Sequence, residues 1–238
     1  MNASKIIQIM ENMHKEVFSI KDIAKIISKT SGYSSLMMFR LKKRGLILEV
    51  EKGKYSLKET NPYAIFSNLI YPCYISFLTA FSYYNLITQI PKKIQIVCLK
   101  SKKKTSFDWY DIKFIKMKQN RFFGYKREKI SRGFIFIAEI EKAIIDSLFL
   151  PKYCPIDETY RVFKEMENIN IKKLIDYALM MKKGIVLKRL GYLLERLDID
   201  IYDKVKDNIN YKYDSLDIIS NNGKKNKKWR LIINRELK

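Results

Sequence analysis

Residues 31–57, SGYSSLMMFRLKKRGLILEVEKGKYSL, change their hydrophobic period midway, and few folds accommodate such a change. Arg40, Lys42, Lys43 and Arg44 crowd the end of a helix-length segment, and Gly45 follows where a helix C-cap is expected. From Ile47 to Glu51 apolar and charged residues alternate. Lys52 and Gly53 supply a two-residue turn, and Lys54–Leu57 returns as a second strand. Two more amphipathic segments of helix length precede this stretch, at 5–13 and 21–29. Helix, helix, basic helix, hairpin is the order of a winged helix-turn-helix, a module whose usual work is holding duplex DNA.

Helical spacing of ~100° per residue sorts the side chains of the third helix. Met37, Met38 and Leu41 share one face, with Ser34 beside them, and are expected to pack on the first two helices. Ser35, Arg40, Lys42 and Lys43 point elsewhere, so Ser35 and Arg40 could reach base edges while the lysines meet phosphates. Leu36 and Phe39 fall on the same outer side and either touch thymine methyls or complete the core. The candidate DNA-binding set is therefore Ser34, Ser35, Phe39, Arg40, Lys42, Lys43 and Arg44 on the helix, with Lys52 and Lys54 at the hairpin tip. A solvated basic helix in a protein-binding module is the alternative.

Charge points the same way, with a discount. Lys and Arg number 47 against 25 Asp and Glu, a net +22, which favours a polyanionic partner. The chain is also rich in Ile, Asn and Tyr, residues of A/T-rich codons, so base composition explains part of the lysine. The excess is spread as +6 over residues 1–60, +9 over 61–150 and +7 over 151–238. Lysine runs at 100–104 and 224–228 could add phosphate contacts or simply be solvated loops.

Other chemistries find little support. Cys73, Cys98 and Cys154 lie far apart with no CxxC spacing, and His14 is the only histidine, so neither a disulfide framework, a metal site nor a histidine relay is expected. Asp111-Ile112-Lys113 offers an acid-x-lysine unit on a strand, but only Asp108 lies near enough upstream to be a second acid. Glu139, Glu141, Lys142 and Asp146 share one helix, a mixture that is usually solvated. No catalytic residue and no cofactor are expected. Residues 60–91 carry no charge, yet Pro62, Pro72 and Pro91 punctuate them and polar residues dilute them, so buried core rather than a membrane span is expected. With no secretory pattern at the start, a cytoplasmic setting is expected.

The expected fold class is α+β: a winged helix-turn-helix over 1–60, then a mixed α/β domain with a helical C-terminal half over 61–238. Turn residues 58–62, KETNP, mark the boundary. Helices are expected near 63–70, 75–85, 139–150, 156–168, 171–182 and 185–197. Strands are expected at 94–99, 111–117, 134–138 and 229–234.

Four segments then carry a family resemblance: YISFLTAFSYYNLITQIPKKIQIVCLK (74–100), IAEIEKAIIDSLFLP (137–151), KRLGYLLERL (188–197) and KKWRLIIN (227–234). With the basic helix and hairpin ahead of them, they resemble the AbiEi antitoxins of type IV toxin–antitoxin systems linked to abortive phage infection. The resemblance covers essentially the whole chain. It implies a repressor of its own operon that binds promoter repeats in double-stranded DNA. It also implies an antitoxin that counters a nucleotidyltransferase-like toxin, direct contact with which the type IV definition does not require. Gly191, between Arg189 and Tyr192, would allow close helix packing, and Glu141 and Asp146 could orient basic residues of the same domain. The alternatives are a stand-alone regulator whose second domain senses a ligand or dimerises, and a nucleic-acid-processing enzyme.

Overall fold

Side-chain caps start each of the first three helices. The computed structural model describes all residues except 1, 14, 90, 104, 108, 109, 131, 132, 167, 168, 221 and 238. Asn2 accepts the Lys5 N–H and opens α1 (Ala3–Asn12). After β1 (Phe18–Ser19), a reciprocal Ser19–Asp22 capping box opens α2 (Ile20–Ile27). Thr30 accepts the Tyr33 N–H and opens α3 (Ser31–Lys43). Gly45, at φ +66°, closes α3 with its N–H on the Lys42 carbonyl, and the chain turns into β2 (Ile47–Glu51) and β3 (Lys54–Leu57). β1 joins β3 antiparallel, giving the order β1-β3-β2. Ile6, Met10, Phe18, Ile23, Met38 and Leu41 fill the space between helices and sheet.

The rest of the chain is also mixed. It contains α4 (Pro62–Ser67), β4 (Cys73–Ile75), α5 (Phe77–Tyr83), β5 (Lys93–Cys98), β6 (Thr105–Phe107), β7 (Tyr110–Lys116), β8 (Tyr125–Ile130) and β9 (Gly133–Ala138). These strands form one six-stranded sheet in the order β6-β7-β5-β4-β9-β8, parallel at β5/β7 and β4/β9 and antiparallel elsewhere. Helices α6 (Ile140–Phe149), α7 (Ile156–Glu165), α8 (Ile171–Met180), α9 (Gly184–Glu195) and α10 (Tyr202–Val205) follow. A small sheet of β10 (Asp214–Ser215), β11 (Lys224–Asn226) and β12 (Leu231–Ile233) ends the chain in the order β10-β12-β11. The class is α+β.

Period-2 alternation divides the large sheet between two cores. On β5, Val97 packs with α5–α9, whereas Ile94, Ile96 and Cys98 pack with Phe66 and Leu69. Val17 and Val50, from the first sixty residues, belong to that second cluster. Glu16 Oε1 accepts the Phe134 N–H at 2.7 Å, Lys54 Nζ donates to the Leu69 carbonyl at 2.9 Å, and Glu51 pairs with Lys102. Segments 1–60 and 61–238 thus share packed surface as well as a linker.

Several sequence expectations change. The helix expected over 75–85 yields its start to strand β4, because Tyr74 and Ile75 are fully buried between β5 and β9. The helix expected over 63–70 ends at Ser67, where the Asn68 amide turns back to the Ala64 and Phe134 carbonyls. Strands β6 and β8 were not anticipated. β8 (YKREKI) is too charged to stand out, being an edge strand with several exposed side chains. The strand expected over 229–234 is shorter, Leu231–Ile233, and Trp229 precedes it, buried against α9. Residues 100–104 are not simply a solvated loop: Lys102 pairs with Glu51 and lies 5.4 Å from the Phe114 ring centre, while Lys104 lies outside the described residues. On α6 the expected solvated mixture is in part core. Lys142 and Asp146 are fully buried and ion-paired, and Tyr74 and Ser76 hydroxyls donate to Asp146 Oδ2 at 3.1 and 2.9 Å. Among the described residues no helix is long and apolar enough to cross a membrane.

Gly191 faces the Trp229 indole, a side chain on the helix rather than a second helix. A Cβ at 191 would fall inside the ring's van der Waals envelope. The ring cannot swing aside: Trp229 Nε1 donates to Glu195 Oε2 at 2.7 Å, and Tyr202 packs edge-on at 5.3 Å. Gly191→Val should therefore cost about 3 kcal/mol or more through overpacking. Denaturant unfolding reads this as a lowered midpoint. A midpoint within error of the parent would show that the glycine contact does not exist.

Candidate nucleic-acid interface

The face of α3 turned away from the core has apolar residues at its centre and cations at its edges. Ser34, Met38 and Leu41 are buried. Leu36 and Phe39 are exposed by 47% and 51%, so they do not complete the core. Lys43 lies beside them, with its Nζ 5.1 Å from the Phe39 ring centre, and Ser35 and Arg40 flank the row. Tyr33, one turn nearer the N-terminus, is 42% exposed and was missed in the sequence reading, although its place three residues before Leu36 is the signal. Arg44, the C-cap residue, is also exposed.

Three of the nine candidate residues are engaged differently from expectation. Ser34 is not available to a ligand: it is fully buried, and its Oγ donates to the Thr30 carbonyl at 2.8 Å. Lys54 is half-buried and committed to Glu51 at 3.0 Å and to the Leu69 carbonyl, so it ties the hairpin to the loop after α4. Lys42 is exposed but paired with Glu49 of β2. Hydrogen bonding from Lys42 holds the Glu49 carboxyl below the usual carboxylate range, and the same bond raises the Lys42 ammonium. Glu49 Oε1 also accepts the Gly53 N–H at 3.3 Å, which braces the turn carrying exposed Lys52. The structure thus leaves Ser35, Phe39, Arg40, Lys43 and Arg44 together on α3, and Lys52 on the hairpin, without a carboxylate partner among the described residues.

The other candidate groups do not converge. His14 and Asp108 lie outside the described residues. Asp111 is exposed and accepts from Ser106 Oγ at 2.8 Å. Glu139 and Glu141 each pair with Lys173 at 3.2 Å. Among the described residues no group of three or more His, Cys, Asp and Glu is placed to hold a metal ion. Burial pushes the Cys73 and Cys154 thiols up to about 12, leaving them protonated near neutral pH.

A cleft of about 700 Å³ opens where α1 meets β9. Ile7, Met10 and Phe134 give it an apolar wall, while Glu16, Lys58 and Lys129 stand at its sides. No signal in the sequence could have found it, because its walls come from segments more than a hundred residues apart.

No protein-family model matches the chain, and no curated protein matches it.

The Lys42–Glu49 pair makes a direct prediction. Because the Glu49 carboxyl is lowered in the folded state, its stabilising contribution is present above the unfolded carboxylate value, about 4.3, and is lost as pH falls through the lower folded value. Lys42→Gln should move the Glu49 titration upward, which carboxyl-carbon NMR can follow. An unmoved titration would mean that the pair does not persist in solution.

Proposed function

We propose that this chain is a sequence-specific DNA-binding regulator whose N-terminal segment acts as a winged helix-turn-helix. The observation that carries the reading is the outer face of α3, where Leu36 and Phe39 stand exposed beside Arg40 and Lys43 with no element of the described residues covering them. In a major groove, Arg40 would take a guanine edge bidentately, and the apolar pair would meet thymine methyls. Lys43, Arg44 and, from the hairpin turn, Lys52 would bind phosphates, which fix register without reading sequence. Ser34 and Lys54 are left out of this set for the reasons given above.

The four segments that resemble AbiEi antitoxins extend the proposal: repression of the chain's own operon through promoter repeats, and neutralisation of a nucleotidyltransferase-like toxin. In this reading the chain is not an enzyme. A second reading, a stand-alone regulator gated by a small molecule, draws support from the cleft between α1 and β9. An occupant there would touch Met10, whose neighbours support α3, and Phe134 of the large sheet.

Point variants test the proposal better than truncation, because cutting near Asn61 would strip Val17 and Val50 from a shared core. Arg40→Ala should cost about 1–3 kcal/mol on the native promoter, with a smaller loss on random duplex, whereas Lys52→Ala should weaken both alike. Glu49→Gln should free Lys42 and steepen the log–log salt dependence by about one unit. Band shifts on both duplexes measure these effects, and equal loss on both for Arg40→Ala would remove it from sequence readout. In cells carrying a neighbouring nucleotidyltransferase-like gene, Arg40→Ala should abolish reporter repression yet still rescue growth. Absence of rescue by the parent protein would leave the stand-alone regulator.

A further inference from the structure

The small C-terminal sheet has two unlike faces. Its inner face carries Leu231, buried near Trp229 and α9, with Asp214 and Asn226 as its register partners. Alternation along β11 sends Lys225, the neighbour of Asn226, outward. Tyr213 and Arg230 precede Asp214 and Leu231, and Lys225 is paired in register with Ile232. On this outer side the Arg230 guanidinium lies 5.7 Å from the Tyr211 ring centre and 5.8 Å from that of Tyr213. Lys225 Nζ lies 5.3 Å from the Tyr213 ring. Tyr211 is 87% exposed. Among the described residues neither Arg230 nor Lys225 has a carboxylate partner.

The contrast with nearby cations shows that pairing is available in this region. Lys228 is held by Glu195 and Asp200, Arg235 by Asp157 and Asp217, and Lys188 by Asp214. These cations are neutralised by carboxylates; those on the aromatic face are not. The face is also rigidly seated. Lys188 Nζ donates to Asn210 Oδ1 and to the Lys212 carbonyl, and Arg189 donates to the Ser215 carbonyl, so the backbone on both sides of Tyr213 is fixed from α9.

We infer that this outer face binds single-stranded nucleic acid, with Tyr211 and Tyr213 offering ring faces to bases and Arg230 and Lys225 meeting phosphates. Exposed rings interleaved with unpaired cations suit a strand whose bases are free to stack. A duplex hides those base faces, which separates this surface from α3. The inference stands independently of the proposed promoter recognition.

The test uses the full chain and a fluorescent single-stranded oligouridylate, with anisotropy as the readout. Tyr211→Ala should weaken binding roughly tenfold or more, the loss of one stacked base. Tyr211→Phe should keep the affinity, since the ring rather than the hydroxyl is used. Arg230→Gln should weaken binding and flatten its salt dependence by about 0.7 unit, the single-strand value for one phosphate. Affinity for promoter duplex should stay unchanged in all three. Equal affinity of Tyr211→Ala and the parent would overturn the inference. So would equal losses for Phe and Ala, or binding of the parent to phosphatidylserine vesicles with none to the oligonucleotide. Near-ultraviolet circular dichroism of each variant confirms that the small sheet is intact.

Discussion

The orientation of α3 depends on one apolar contact, made by Val17 and Val50 with Phe66 of α4, Leu69 just after it and Ile94 of β5. Fully burying a valine is worth about 1.5–3 kcal/mol, so two of them can hold a short hairpin in place. Polar groups at the rim add direction: Glu16 on the Phe134 N–H, Lys54 on the Leu69 carbonyl and Lys102 on Glu51. Their cost is a loss of ligands, since Lys54 becomes part of the joint. What remains for a partner is the surface that this contact does not use, namely the outer side of α3 and the exposed Lys52. A change in the cleft beside Glu16 would act on the joint and, through Met10, on the core beneath α3.

A second set of interactions explains a segment whose charges look functional. Along α9, Lys188 reaches Asp214, Arg189 reaches the Leu148 and Ser215 carbonyls, Gly191 receives the Trp229 ring, and Glu195 accepts from Trp229 Nε1. Burial pushes the Arg189 guanidinium down to about 10, with Asp217 and Asp214 opposing, so it stays charged near neutral pH. Removing one member of such a buried set strands its partner, which commonly costs several kcal/mol. KRLGYLLE is therefore a clasp on the C-terminal sheet. Any effect of these residues on activity passes through the position of that sheet.

The local features of the first sixty residues were legible because their determinants are local. Gly45 and Gly53 adopt positive φ where the sequence demanded it, and the hairpin bounds follow from alternation between two turn signals. Legibility failed where partners are distant. Strand β4 is three apolar residues inside an apolar run, and only pairing with β5 and β9 makes it a strand. Lys142 and Asp146 read as a surface pair at i,i+4 until Tyr74 and Ser76, some seventy residues earlier, supply hydroxyls to the carboxylate. For the candidate site, periodicity identified the α3 face but could not foresee that Glu49 would take Lys42 or that Leu69 would take Lys54. Ser34 shows the limit within one helix, where a polar residue next to the apolar row is buried once its hydroxyl finds the Thr30 carbonyl.

Net charge gains meaning only after these pairings are made. A surplus of +22 produced by codon bias alone would leave lysines scattered without regard to their neighbours. Here many of the cations that hold the fold, among them Lys54, Lys102, Lys142, Lys188, Lys228 and Arg235, meet a carboxylate, while buried Arg121 and Arg189 are held by backbone carbonyls. Among the described residues, those left without one include Arg40, Arg44 and, over the Phe39 ring, Lys43, and also Lys225 and Arg230 beside Tyr211 and Tyr213. Both groups set cations against exposed rings, an arrangement compatible with a polyanion bearing bases. The proposed nucleic-acid surfaces therefore rest on where the surplus lies, at two surfaces of different shape, more than on its size.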